Sequence, residues 1–193
     1  MIELVLDPGS VDDYNKFIKA KELPIYQVRG SVVSFPDEYA SFIGAKVSRE
    51  QKAYKAPDWM FDYQKDITAM AIRKRKFATF MDCGLGKTPI HLEFARAANT
   101  DTKKPILIVA PLMVISQELH EVRKFYGDKY KIQRIKAADL QAWLSEGDGV
   151  GITNYEAIRD DLSPGNLGGI VLVESSMLKS HYGKWGTKLI ELG

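Results

Sequence analysis

The run MDCGLGKT, residues 81–88, carries the residue types most suited to chemistry in this chain. Successive backbone N–H groups in a glycine-containing loop, continued by the first turn of a helix, form a concavity that binds anions. Gly84 and Gly86, with Leu85 between them, allow backbone angles and a close approach that a side chain would block. Lys87 is placed to reach the terminal phosphates of a nucleotide, and Thr88 to offer its hydroxyl to a magnesium ion. The strict phosphate-loop pattern opens on glycine, and here Met81 holds that place, while the G-x-G-K-T end is intact. The rival reading is a glycine-rich turn with an incidental lysine. The strand-like FATFMD that runs into the loop and the helix-like TPIHLEFARAAN that leaves it favour the phosphate loop. Cys83, inside the loop, is either a thiol activated by the helix N-terminus or a small residue that fits.

A second stretch, IVLVESSMLKS at residues 170–180, is an apolar run that stops at Glu174 and gives way to small hydroxyl residues and a lysine. A buried strand that delivers a carboxylate to a site at its end has this pattern. The neighbour of Glu174 is Val173, not a second acid.

These residues need a scaffold. From Phe77 onward short apolar runs alternate with amphipathic stretches. FATFMD, PILIVAP, YKIQRIK, GVGITN and GGIVLVE read as strands. TPIHLEFARAAN, SQELHEVRKFYG (opened by Ser116, with Glu118 in its first turn, and ended by Gly127), AADLQAWLSEG and YEAIRDDL read as helices, with one more beginning near Gly183. Strands that are apolar throughout and alternate with helices predict an α/β fold, a parallel sheet covered on both faces. Such sheets place their sites at the carboxyl ends of the strands. Residues 1–55 differ: IELVLD, PIYQVRG and SVVSFP look like strands and VDDYNKFIKAKE like a helix, so we expect a small α+β appendage ahead of the main domain at 56–193.

The chain has 193 residues, 45% hydrophobic and 27% charged, the composition of a soluble globular protein. No apolar run approaches the roughly 20 residues of a membrane span, and the opening MIELVLDPGS lacks the features of a signal peptide. A lone cysteine fits a reducing compartment, so a cytoplasmic location is expected. The net charge of +2 does not select a partner. The cluster RKRK (Arg73, Lys74, Arg75, Lys76) is either a solvated helix end or a contact for a phosphate backbone.

Taken in order, the segments resemble motifs of the superfamily-2 helicases, specifically the Swi/Snf-like branch and its DEAD/DEAH-type relatives in phages and bacteria. FDYQKD resembles the adenine-reading Q segment with Gln64 as its glutamine, MDCGLGKT motif I, LIVAPLMVISQ motif Ia, GITNYEAI motif Ib and ESSMLKS motif II. The resemblance covers about residues 57–193. It implies the first RecA-like lobe of a DNA-directed ATPase, with ATP and Mg2+ as ligands, double- or single-stranded DNA as partner, and a second RecA-like lobe that would close on the nucleotide. It implies roles for Gln64 at the adenine, for Gly84, Leu85, Gly86, Lys87 and Thr88 at the phosphates and magnesium, for Glu174 at the attacking water, and for Pro111, Thr153 and Asn154 at nucleic acid.

Motif II ordinarily begins Asp-Glu, and its Asp holds the magnesium shell. Val173 occupies that position, and an isopropyl group offers no lone pair to a metal or its waters. The chain also reaches Gly193 without motifs III to VI. Both features predict ATP binding with little or no hydrolysis. Bland readings stand beside these roles: Thr153 and Asn154 as helix caps, Lys179 and Ser180 as surface residues, and Trp59, Met60 and Phe61 as packing. As whole-protein alternatives, a non-catalytic nucleotide-binding or interaction module would keep the same scaffold. A small phosphate-loop kinase is disfavoured by the motif Ia-like and Ib-like segments.

Overall fold

Every residue of the strand Ile106–Ala110 (β4) has 0% exposure. The cause is visible in where its side chains go. Leu107 and Val109 enter one apolar cluster with Leu140, Leu144, Tyr155 and Leu189. Ile106, Ile108 and Ala110 enter another with Leu92, Ile115 and Val122. Successive strand residues point to opposite faces, so a strand apolar throughout requires cover on both sides.

The computed structural model describes residues 2–36, 39–45, 54–82, 84–178 and 183–193. By its contacts the chain divides into two compact units, Met1–Ala53 and Tyr54–Gly193. In the first, β1 (Ile2–Val5), α1 (Val11–Lys21), β2 (Gln27–Arg29), β3 (Val32–Phe35) and α2 (Ala40–Ile43) form an antiparallel sheet of order β1-β3-β2 with helices. Ser10 caps α1 by accepting the Asp13 N–H, and Phe35, Val33, Ala20 and Ile43 make its core.

In the second unit α3 (Asp62–Lys74) and α4 (Lys87–Thr102) precede β4, and α5 (Leu112–Tyr126), β5 (Ile132–Arg134), α6 (Leu140–Glu146), β6 (Val150–Asn154), β7 (Gly169–Leu172) and α7 (Lys184–Leu192) follow it. The sheet is parallel with order β5-β6-β4-β7. Residues of α4 and α5 fill one face, and α6 and α7 the other. The α/β expectation holds. Among the described residues no helix is long and apolar enough to cross a membrane.

Three local expectations change. FATFMD has no ladder partner among the described residues and is not a strand, and Phe80 is 94% exposed there. Apolar content makes a strand only where a neighbour supplies hydrogen bonds. Helix α5 opens one turn earlier than Ser116, because Pro111 caps it: the Val114 N–H donates to the Pro111 carbonyl at 2.9 Å. Glu118 therefore lies in the second turn. YEAIRDDL yields a short 3-10 turn over Tyr155–Ala157 in place of a helix.

Helices α4 and α5 are also joined by a polar cluster. Glu93, fully buried on α4, accepts from Arg96 at 2.9 Å through Nε and from the Tyr126 hydroxyl of α5 at 2.7 Å. Burial and the nearby Glu93 charge push the Tyr126 hydroxyl well above the usual tyrosine range.

Candidate functional site

The turn before α4 is held open by glycine. Gly84 has φ of +84° and Gly86 of +63°, the left-handed region that other residues enter at a cost. Gly86 is restricted twice over, since a Cβ there would lie 2.5 Å from Nε2 of Gln64. Helix α4 then starts at Lys87 with no side-chain cap. Its first N–H groups therefore face the loop without side-chain partners from the cap position. The Lys87 ammonium donates to the carbonyls of Met81 at 2.9 Å and Asp82 at 3.3 Å, so it lies along the loop with a third N–H to offer. Cys83 lies outside the described residues.

Helix α3 clamps this loop. Tyr63 donates its hydroxyl to the Leu85 carbonyl at 3.0 Å, and Gln64 donates Nε2–H to the Gly86 carbonyl at 3.0 Å. Gln64 Oε1 accepts the Phe61 N–H at 3.0 Å, fixing the amide at the start of α3. Gln64 is 3% exposed, and these bonds leave one N–H of its amide for a further partner. Beside the clamp lies an open recess of about 440 Å³ lined by Tyr63, Ile67, Phe80, Met81, Asp82 and Leu85. Phe61 stacks on Tyr63 at 5.9 Å.

Thr88, in the first turn of α4, directs its hydroxyl to Oε1 of Glu118 at 3.4 Å. Oε2 of the same carboxylate lies 2.8 Å from Nε2 of His91. Sequence reasoning read Glu118 only as a first-turn helix acid and passed over His91. The available signal was an acid within the apolar stripe of α5 and a polar pair three residues apart on α4.

At the carboxyl end of β7 the ladder continues one residue, with the Val173 N–H donating to the Val109 carbonyl at 2.8 Å. The Val173 side chain packs against the cluster beneath α4 and α5. The Tyr155 hydroxyl, from the end of β6, donates to the Val173 carbonyl at 3.0 Å. Burial pushes that phenol up to about 12, with the Glu174 charge adding to the effect. Glu174 follows with φ of +57°, an unusual angle for a residue with a side chain. It is exposed, and its carboxylate accepts from the Ser176 hydroxyl. Residues held in sparsely populated backbone regions cluster at active sites, ligand clamps and switch regions.

The nucleic-acid candidates separate. Pro111 caps α5 at the end of β4, with Leu112 and Met113 exposed beyond it. Asn154 is in register with Ala110 and donates to Glu156 at 2.6 Å. Thr153 has 0% exposure and donates its hydroxyl to the Ile135 carbonyl at 3.0 Å. That hydroxyl neither caps a helix nor reaches a surface. Trp59 stacks on Phe125 at 4.5 Å and Met60 is buried, so both pack, whereas Phe61 is exposed. Arg73 and Lys74 sit in the last turn of α3, and Arg75 pairs with Asp101 at 3.1 Å. Lys179 and Ser180 lie outside the described residues.

A parallel sheet, helices on both faces and a glycine loop opening a helix define a RecA-like α/β lobe. The chain is similar in structure to the Sulfolobus solfataricus SWI2/SNF2 ATPase core in complex with dsDNA, with TM-score 0.58 and 21% identity over 75% of this chain. The match spans 32% of that ATPase chain. At this identity the likeness is one of fold. No family model matches the sequence, and no curated protein matches it.

Proposed function

We propose that residues 54–193 form a nucleotide-binding lobe of a Swi/Snf-like, DNA-directed ATPase, and that this chain binds ATP but hydrolyses it poorly or not at all. The observation that carries the reading is the left-handed Gly84–Gly86 turn opening α4 with Lys87 laid along it. In this reading the N–H groups of Gly84 to Thr88 and the Lys87 ammonium hold the phosphates. The Thr88 hydroxyl would hold magnesium, which when bound neutralises charge on the terminal phosphates. The open recess beside Tyr63 and Leu85 suits a flat base, with Gln64 offering its remaining N–H. Glu174 orients the attacking water, and Val173 leaves the magnesium shell without its usual carboxylate. DNA is the proposed partner because the structural neighbour holds double-stranded DNA, and a second RecA-like lobe is the proposed companion. Localisation in the cytoplasm belongs to the same reading.

The alternative is a non-catalytic nucleotide-binding or interaction module, favoured by Val173 and by the burial of Thr153. Nucleotide affinity with and without magnesium, repeated for Lys87→Ala, separates nucleotide binding through this loop from a pure interaction module. Losing the charged donor is expected to weaken ATP binding by about tenfold or more. Absence of binding by the unaltered chain leaves the interaction module.

A further inference from the structure

We propose that Glu118 is a positioning residue for magnesium-bearing nucleotide. It takes the hydrogen of the Thr88 hydroxyl, so that the oxygen presents its lone pairs outward, and it supplies from α5 the negative charge that Val173 does not supply from β7. This rests on the nucleotide-binding reading above.

The buried residues of α5 are Ile115, Glu118 and Val122, so an acid holds a place in the stripe that packs on α4. Glu118 is 2% exposed, and a buried carboxylate is costly unless its oxygens are partnered. Both of its partners come from one face of α4: Thr88 on one oxygen and His91, one turn later, on the other. The carboxylate is thus aimed at the residue after Lys87 and held there by the imidazole. A hydroxyl has one hydrogen and two lone pairs, so a threonine that ligates a cation must send its hydrogen elsewhere. Glu118 is the acceptor on that side. Its distance of 3.4 Å is long for such a bond, and a cation on the oxygen would polarise the O–H and shorten it. Outer partners of this kind typically change metal affinity by about 10–100-fold.

The test is calorimetric titration of the full chain with ADP, once with magnesium chloride and once with EDTA, alongside melting curves. Glu118→Gln keeps size and hydrogen-bonding capacity but removes the charge. It is expected to reduce the magnesium-dependent gain in ADP affinity by about tenfold, with the EDTA affinity not lowered, since a negative charge near the phosphates is removed. Thr88→Val is expected to lose the gain too, and the double variant to lose no more than the larger single loss. Glu118→Asp, which keeps the charge, is expected to retain more of the gain than Glu118→Gln. An unchanged magnesium gain in Glu118→Gln, an equal fall with and without magnesium, or the reverse order for Asp and Gln overturns the proposal while the nucleotide reading stands. Failure of the unaltered chain to bind ADP in either buffer overturns both.

Discussion

Val173 and Glu174 are adjacent in sequence and opposite in circumstance. Val173 still belongs to the strand: its N–H completes the ladder to β4, its carbonyl is held by Tyr155, and its side chain joins the core. Glu174 has left the strand with a left-handed backbone and an exposed carboxylate. An aspartate at 173 would place a charge at the boundary between core and site, where valine contributes packing instead. Val173→Asp is therefore expected to lower stability by about 1–3 kcal/mol. In the same variant, magnesium-dependent single-turnover ATP hydrolysis is expected to rise on the order of a hundredfold over the unaltered chain, the scale of one preorganised electrostatic group. Equal rates in the two proteins would remove Val173 as the cause of any deficit.

At the scale of elements, α4 is the hub. Its first turn closes the glycine loop, its middle buries Leu92 against the sheet, and its polar flank ties it to α5 through Glu93 and Glu118. Glu93 is fully buried and shares its carboxylate between Arg96 on its own helix and Tyr126 on α5. Arg96→Leu leaves that carboxylate with the Tyr126 hydroxyl and no cation. The expected outcome is a loss of about 3 kcal/mol in chemical denaturation, against a small change for Arg159→Leu, whose pair with Asp161 is exposed. Comparable losses in both would show that the Glu93 cluster does not hold the two helices together. Helix α3 acts differently, as a clamp: Tyr63 and Gln64 secure the carbonyls of Leu85 and Gly86. The glutamine to which the family resemblance gives an adenine role here fixes the loop's shape, through a hydrogen bond across 22 residues that the primary sequence does not reveal.

At the scale of the whole unit, buried phenols set a limit on alkaline stability. Burial is the main cause that pushes Tyr54, Tyr126, Tyr130 and Tyr155 above the ordinary tyrosine value, Tyr155 to about 12. The folded protein keeps these protons at pH values where the unfolded chain releases them. Their contribution to stability is complete below about pH 10 and falls as pH rises toward 12 and beyond. The urea midpoint is expected to drop between about pH 9 and pH 11, and Tyr126→Phe to reduce the slope of that drop. A midpoint flat across the range would mean that the phenols are open to solvent.

By itself the sequence determined the α/β class, because PILIVAP and GGIVLVE are apolar at every position and must be covered on both faces. It also determined the glycine loop, since G-x-G-K-T is a local pattern whose geometry follows from residue type. The start of α5 was decided by Pro111, whose carbonyl accepts the Val114 N–H, and FATFMD is not a strand, having no ladder partner among the described residues. Only tertiary structure buried Thr153, brought Tyr155 under Val173, and set Glu118 beside Thr88 across 30 residues of chain. Periodicity reports which side of an element meets the core. Which polar groups meet there depends on the packing of helices distant in sequence, and that packing placed a carboxylate next to the Thr88 hydroxyl.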